Sequence, residues 1–165
     1  LAQAGARVAC VARRADRVEA VAQSIRDAGG EAFACAMDVT DAESIRCGFD
    51  AVDAALGTVD VLVNNAGLSA PAAFPEMSDA QWTSVLEVNL TAPYRVSREM
   101  SQRLIAKRQP GSIINIASIL GHLAKAMFIN YGTTKGALIH MTQYMALDLL
   151  HGRGPRDAGR VRSGS

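Results

Sequence analysis

The sequence predicts an α/β chain built on a parallel sheet of doubly wound type. Three observations predict it. Short apolar runs recur along the 165 residues, and stretches with helical periodicity lie between them. The two alternate at roughly 20–30-residue intervals, the spacing of right-handed strand–helix–strand crossovers. The apolar runs also close on polar residues, at Asp38, Asn65 and Ser118. Ligands bind such sheets beyond the carboxyl ends of the strands, so topology alone places these three residues on one rim.

Each element has its own signal. Leu1 to Ala6 reads as the end of a helix, with Gly5 as its stop. Arg7 to Val11 is a short buried strand. Asp16 to Ala28 is an amphipathic helix with Val18, Val21, Ala22 and Ile25 on one face, closed by Gly29-Gly30. Glu31 to Val39 is strand-like. Thr40 is expected to cap the next helix, with Glu43 completing a capping box, and that helix runs to about Leu56. Val59 to Asn64 is a strand, followed by a loop marked by Pro71 and Pro75. Ser78 is the expected N-cap of a helix that continues, with interruptions, to about Lys107. Gln109-Pro110-Gly111 turns into a strand ending at Ser118, and the last helix spans about Asn130 to Leu150.

Composition bounds the function. The length suits about one domain, and a formal net charge of +1 gives no sign of a nucleic-acid partner. No apolar run reaches the ~18 residues of a membrane span, and no signal-peptide pattern opens the chain. Cys10, Cys35 and Cys47 lack metal-ligand spacing and read as small hydrophobes in a reducing, cytoplasmic setting. After Leu150 apolar periodicity ends. Residues 151–165 carry Arg153, Arg156, Arg160 and Arg162 among glycines, and read as a disordered or aberrant tail behind a domain at 1–150.

The chemistry is concentrated in Tyr131-Gly132-Thr133-Thr134-Lys135. Residues at i and i+4 share a helix face, so phenol and ammonium can enter one site. A tyrosine titrates near pH ~10 when unperturbed, and a fixed positive charge favours its phenolate. The pair gains weight from its neighbours. Val61-Leu62-Val63-Asn64-Asn65-Ala66-Gly67 is an apolar strand ending in an amide pair and a glycine. Val88-Asn89-Leu90 sets an asparagine in an apolar segment. Gly111 to Ser118 is a strand ending in a hydroxyl.

These motifs, in this order, resemble the short-chain dehydrogenase/reductase family over residues 1 to about 150. The resemblance implies a Rossmann-like fold and hydride transfer between a nicotinamide and a carbonyl or secondary alcohol. Its substrates would be 3-oxoacyl thioesters, sugar acids, polyols or other secondary alcohols. It assigns Tyr131 to proton transfer and Ser118 to the substrate oxygen. Lys135 would tune the tyrosine and hold the nicotinamide ribose, and Asn89 would hold a water leading to the lysine. On the cofactor, it assigns Asp38 and Val39 to the adenine and Asn65, Ala66 and Gly67 to the adenosine ribose side. Members that prefer NAD usually carry an acid where this chain has Ala12. Arg13 follows, with Arg14 beside it, and guanidinium groups suit a 2′-phosphate. NADP is therefore expected, with NAD as second choice. Homo-oligomers, tetramers or dimers, are implied through the helices around Met100 and Met141.

Two parts of the family pattern have no counterpart within these residues. One is the first strand with its T-G-x-x-x-G-x-G phosphate turn. The other is the strand and substrate loop after the Lys135 helix. The expectation is a sheet lacking its first strand and C-terminal strands, with Arg7 to Val11 and Val59 to Asn64 deprived of a shared neighbour. An incomplete reductase sequence and a truncated or frameshifted, non-catalytic product both fit that expectation.

Overall fold

The computed structural model describes residues 1–150. The residue 151–165 tail lies outside them. A 3-10 turn, Ala2–Ala4, ends at Gly5 in the left-handed region (φ 86°). The regular elements are β1 (Val8–Ala12), α1 (Ala15–Asp27), β2 (Ala32–Ala36), α2 (Ala42–Leu56) and β3 (Val61–Asn64). Then come α3 (Asp79–Leu86), α4 (Ala92–Lys107), β4 (Ser112–Asn115) and α5 (Ile129–Leu150).

The strands form two parallel pairs. β1 runs beside β2 with Val8 opposite Ala32, and β3 beside β4 with Val61 opposite Ser112. β1 and β3 do not pair with each other. Parallel ladders engage alternate residues. Val8 N–H donates to Glu31, and Ala12 accepts from Met37, so these residues face β2. Ala9 and Val11 therefore turn their peptide groups to the other side. On β3, Asp60 and Asn64 accept from Ser112 and Ile116, which leaves Val61 and Val63 turned away from β4. The expected loss of a shared neighbour is thus a seam between two half-sheets.

One helical layer spans both halves. Ile45, Phe49 and Val52 of α2 and Val96, Met100 and Leu104 of α4 form the buried core. Ala9, Phe33, Leu62 and Ile113, one residue from each strand, pack on it. Met100 is 1% exposed and belongs to this core rather than to a subunit-contact surface. Above the core, Arg103 of α4 reaches Asp50 (2.8 Å) and Asp53 (3.4 Å) of α2, and its guanidinium lies over Phe49.

Several boundaries differ from expectation. Asp41, not Thr40, caps α2, accepting from Ser44 N–H. Asp38 has drawn both the N–H and the hydroxyl of Thr40 into its own turn (2.9 and 2.7 Å). Glu43 pairs with Arg46 instead of closing a box. β2 ends at Ala36 and β4 at Asn115, because the last rungs are Met37 N–H to Ala12 and Ile116 N–H to Asn64. Asp38 and Ser118 thus lie just past the strand ends. Ser78 does cap α3, in a reciprocal box with Gln81. The interruption before α4 is a π-helical turn, Glu87–Thr91.

Candidate active site

Two features of α5 build the site. Tyr131 and Lys135 lie one turn apart, with the ammonium 5.7 Å from the centre of the phenol ring. Lys135 is 5% exposed, and its Nζ donates to the Ile116 carbonyl at 2.6 Å, just past β4. Burial holds its pKa below the usual lysine value, because a poorly solvated ammonium is disfavoured. The second feature is Gly132 with Gly136, a pair that weakens a helix by roughly 0.5–1 kcal/mol each relative to alanine. A Cβ on Gly132 would stand 3.0 Å from the Leu120 carbonyl oxygen, and one on Gly136 3.1 Å from that of Gly121. Without side chains there, the 3-10 turn Ile119–Gly121 lies directly on the helix.

Ser118 is the N-cap of that turn. Its Oγ accepts from Leu120 N–H at 3.2 Å, which leaves the hydroxyl hydrogen to donate elsewhere. The glycine contact seats the turn that Ser118 caps against α5, the helix that carries Tyr131. Among the described residues no hydrogen bond joins Ser118 to Tyr131.

Asn89 is fully buried in the π turn. Its Oδ1 accepts from Leu68 N–H (2.8 Å), and its Nδ2 donates to the Leu68 carbonyl (2.9 Å) and to Thr134 Oγ1 (3.2 Å). Its side chain therefore ties the stretch after Gly67 to α5. Extra-residue turns of this kind are common at functional sites, where they re-aim a side chain.

The nucleotide candidates lie along the strand-end rim. Arg13 follows β1, exposed, in an open hollow with Ala12 and Arg14. Asp38 sits across from it. Thr40 N–H and hydroxyl hold the Asp38 carboxylate below its ordinary pKa, and the Arg13 charge adds to this. Val39 and Ala66 line one small cleft with Asn64, Val88 and Val96. Asn65, Ala66 and Gly67 are exposed beyond β3. Guanidinium groups beside β1, a carboxylate and an apolar wall beyond β2, and an open backbone stretch beyond β3 fit a phosphate, an adenine and a ribose in that order.

Sequence reasoning passed over several contributors. Asn130 and Thr134, each 1% exposed, hold the loop and the helix together. Asn64 donates to Ser97 (2.9 Å) and Asn115 (2.8 Å), and Asn115 donates to Thr142 (2.8 Å), bracing the ends of β3 and β4 against α4 and α5. The available signals were the glycine pair at i and i+4 and the asparagine pair Asn64-Asn65 at the end of β3. Among the described residues no cluster of metal-ligating side chains occurs, and no helix is long and apolar enough to cross a membrane.

Comparison with known proteins points the same way. A family model described as short chain dehydrogenase matches residues 1–153. The chain is 35% identical over 150 residues to a 3-oxoacyl-[acyl-carrier-protein] reductase of Aquifex aeolicus, covering 90% of this chain and 60% of that one. It is 31% identical over 148 residues to a gluconate 5-dehydrogenase of Gluconobacter oxydans, covering 90% and 57%. Among solved structures, a gluconate 5-dehydrogenase from Burkholderia cenocepacia in complex with NADP and tartrate superposes with a TM-score of 0.86. It is 32% identical, with 92% of this chain and 59% of that one covered. A metagenomic short-chain oxidoreductase in complex with NADP gives a TM-score of 0.84 at 36% identity, covering 92% and 68%. The chain thus spans about 60% of the length of the curated relatives it matches.

Proposed function

The chain belongs to the short-chain dehydrogenase family, and on that premise we propose that it carries the catalytic and most of the nucleotide-facing residues of an NADP-dependent oxidoreductase. The observation that supports this best is the buried Lys135 ammonium 5.7 Å from the Tyr131 ring, with the turn that Ser118 caps seated on the same helix. The reaction proposed interconverts a carbonyl and a secondary alcohol. Relatives acting on 3-oxoacyl thioesters and on gluconate mark the substrate classes to test first.

The bound nicotinamide would supply the hydride. This chain's residues position and protonate. Tyr131 gives its proton to the nascent alkoxide during reduction and takes it back during oxidation. Ser118 donates its free hydroxyl hydrogen to the same substrate oxygen. Lys135 supplies positive potential at the phenol and a donor to the nicotinamide ribose. Asn89, within the π turn, stands on the water route to the lysine. Asp38 with Val39 receives the adenine, Asn65 to Gly67 the adenosine ribose side, and Arg13 the 2′-phosphate. Ala12 offers no carboxylate to a 2′-hydroxyl, so NADP is favoured over NAD.

We extend the same reading to assembly. Tyr94 and Ile105 on α4 and Tyr144 on α5 are exposed, which suits subunit pairing through these helices into dimers or tetramers. Free Cys10, Cys35 and Cys47 suit a cytoplasmic setting.

Steady-state assays of the full-length protein test the reading. Tyr131→Phe should lower kcat by ~10²–10⁴-fold, the worth of a general acid, while NADPH still binds. In the same assay Arg13→Ala should raise KM for NADPH more than for NADH. A Tyr131→Phe enzyme within about tenfold of the parent would remove the proton-transfer role.

The seam between β1 and β3 favours a second reading for residues 1–165 acting alone, namely that they are not catalytic. Residues 1–165 purified by themselves should then oxidise no NADPH with either substrate class. Turnover by this chain alone would overturn that reading.

A further inference from the structure

We propose that Asn130 is a positioning residue for Tyr131, coupling the loop at residues 67–72 to the start of α5. The inference rests on the proton-transfer role proposed for Tyr131.

Asn130 is 1% exposed and uses both ends of its amide. Nδ2 donates to the Ala70 carbonyl at 2.8 Å, across sixty residues of chain. Oδ1 accepts from Tyr131 N–H at 2.7 Å. The first N–H groups of a helix have no intrahelical partner, and this one belongs to the residue that carries the phenol. The backbone of Tyr131 is therefore anchored through one side chain to the loop that follows Gly67.

Two further routes run in parallel. Ala72 N–H donates to the Met127 carbonyl at 3.0 Å. Thr134 Oγ1 donates to the Tyr131 carbonyl at 2.8 Å and accepts from Asn89, which itself grips Leu68. Both the N–H and the carbonyl of Tyr131 thus connect to the loop, one through Asn130 and one through Thr134 and Asn89. Asn130, Thr134 and Asn89 are all buried, so a broken link leaves an unsatisfied polar group rather than a hydrated one. A loop displaced by nucleotide or substrate must carry the Tyr131 backbone with it. The phenol and the nucleotide-facing backbone then move as one body.

Two variants test this in the full-length protein. Asn130→Ala removes both contacts. Asn130→Asp keeps the size and the oxygen facing Tyr131 N–H, and at neutral pH lacks the donor to Ala70, so it serves if the alanine variant fails to fold. Both should lose at least about tenfold in kcat, since misplacement by about 1 Å costs up to ~100-fold. KM for NADPH should stay within about twofold. A generally destabilised enzyme would not show that split. Thermolysin cleavage within residues 67–72 should also quicken in both variants, since such cleavage follows the population of the opened loop. Unchanged kcat in either variant would overturn the proposal, as would a rise in KM with kcat intact. If the unsubstituted protein reduces no carbonyl, the reductase reading fails separately. Cleavage then decides the coupling, and equal rates would overturn it.

Discussion

At the scale of single residues, polar side chains in this protein hold backbone before they meet any ligand. Asp38 shows the consequence for stability. Its carboxylate accepts from Thr40 N–H and the Thr40 hydroxyl, and this keeps its pKa below 3.8. The unfolded chain therefore binds more protons than the folded one between that lowered value and 3.8. Stability must rise with pH across this window. The contribution is fully present above the unfolded pKa and lost as pH falls through the folded one. Asp38→Asn keeps an acceptor facing Thr40 but does not titrate. The gap in urea midpoint between the protein and this variant should shrink as pH is lowered from about 5 to about 2.5. A gap that stays constant would show that the Thr40 bonds do not favour the ionised carboxylate.

At the scale of elements, what the sequence discloses is set by whether the signal is local. The α1 face and the Ser78 cap are written within one or two helical turns. Val21, expected on the α1 face, is instead 52% exposed, but the face at Val18 and Ala22 was legible, as was the cap. The α2 cap was not, because Thr40 and Asp41 are both competent caps. Only the fold, by turning Asp38 onto Thr40, leaves the task to Asp41. Strand ends at Ala36 and Asn115 depend on where the partner strand stops, so the apolar runs through Val39 and Ala117 overstate them. The π turn at Asn89 has no local cause. It aligns one amide with Leu68 and Thr134, residues 21 and 45 positions away. The juxtaposition of Tyr131 and Lys135 in the candidate site was legible, because phenol and lysine at i and i+4 form a pattern within one turn. Asn130 and Thr134 were not, since short polar residues near a helix start look like solvent-facing ones until burial is known.

At the scale of the whole molecule, two half-sheets share one helical floor. The floor is continuous: α2 and α4 interleave Phe49, Val52, Met100 and Leu104 beneath all four strands. The sheet above it is not, and among the described residues β1 and β3 each carry an edge without a ladder partner. The seam gives those edges a signature in deuterium uptake. In the folded chain, Val8 and Leu62 sit in ladders, while Ala9, Val11, Val61 and Val63 turn their amides into the seam. Neighbouring peptides on one strand should therefore differ in exchange rate, slow and fast with a period of two, although the core below them is uniformly buried. Residue-resolved exchange by NMR would read this directly. If all amides of β1 and β3 were equally slow, the seam would have to be closed in solution by a further strand, and the alternation would then serve as an assay for whatever closes it.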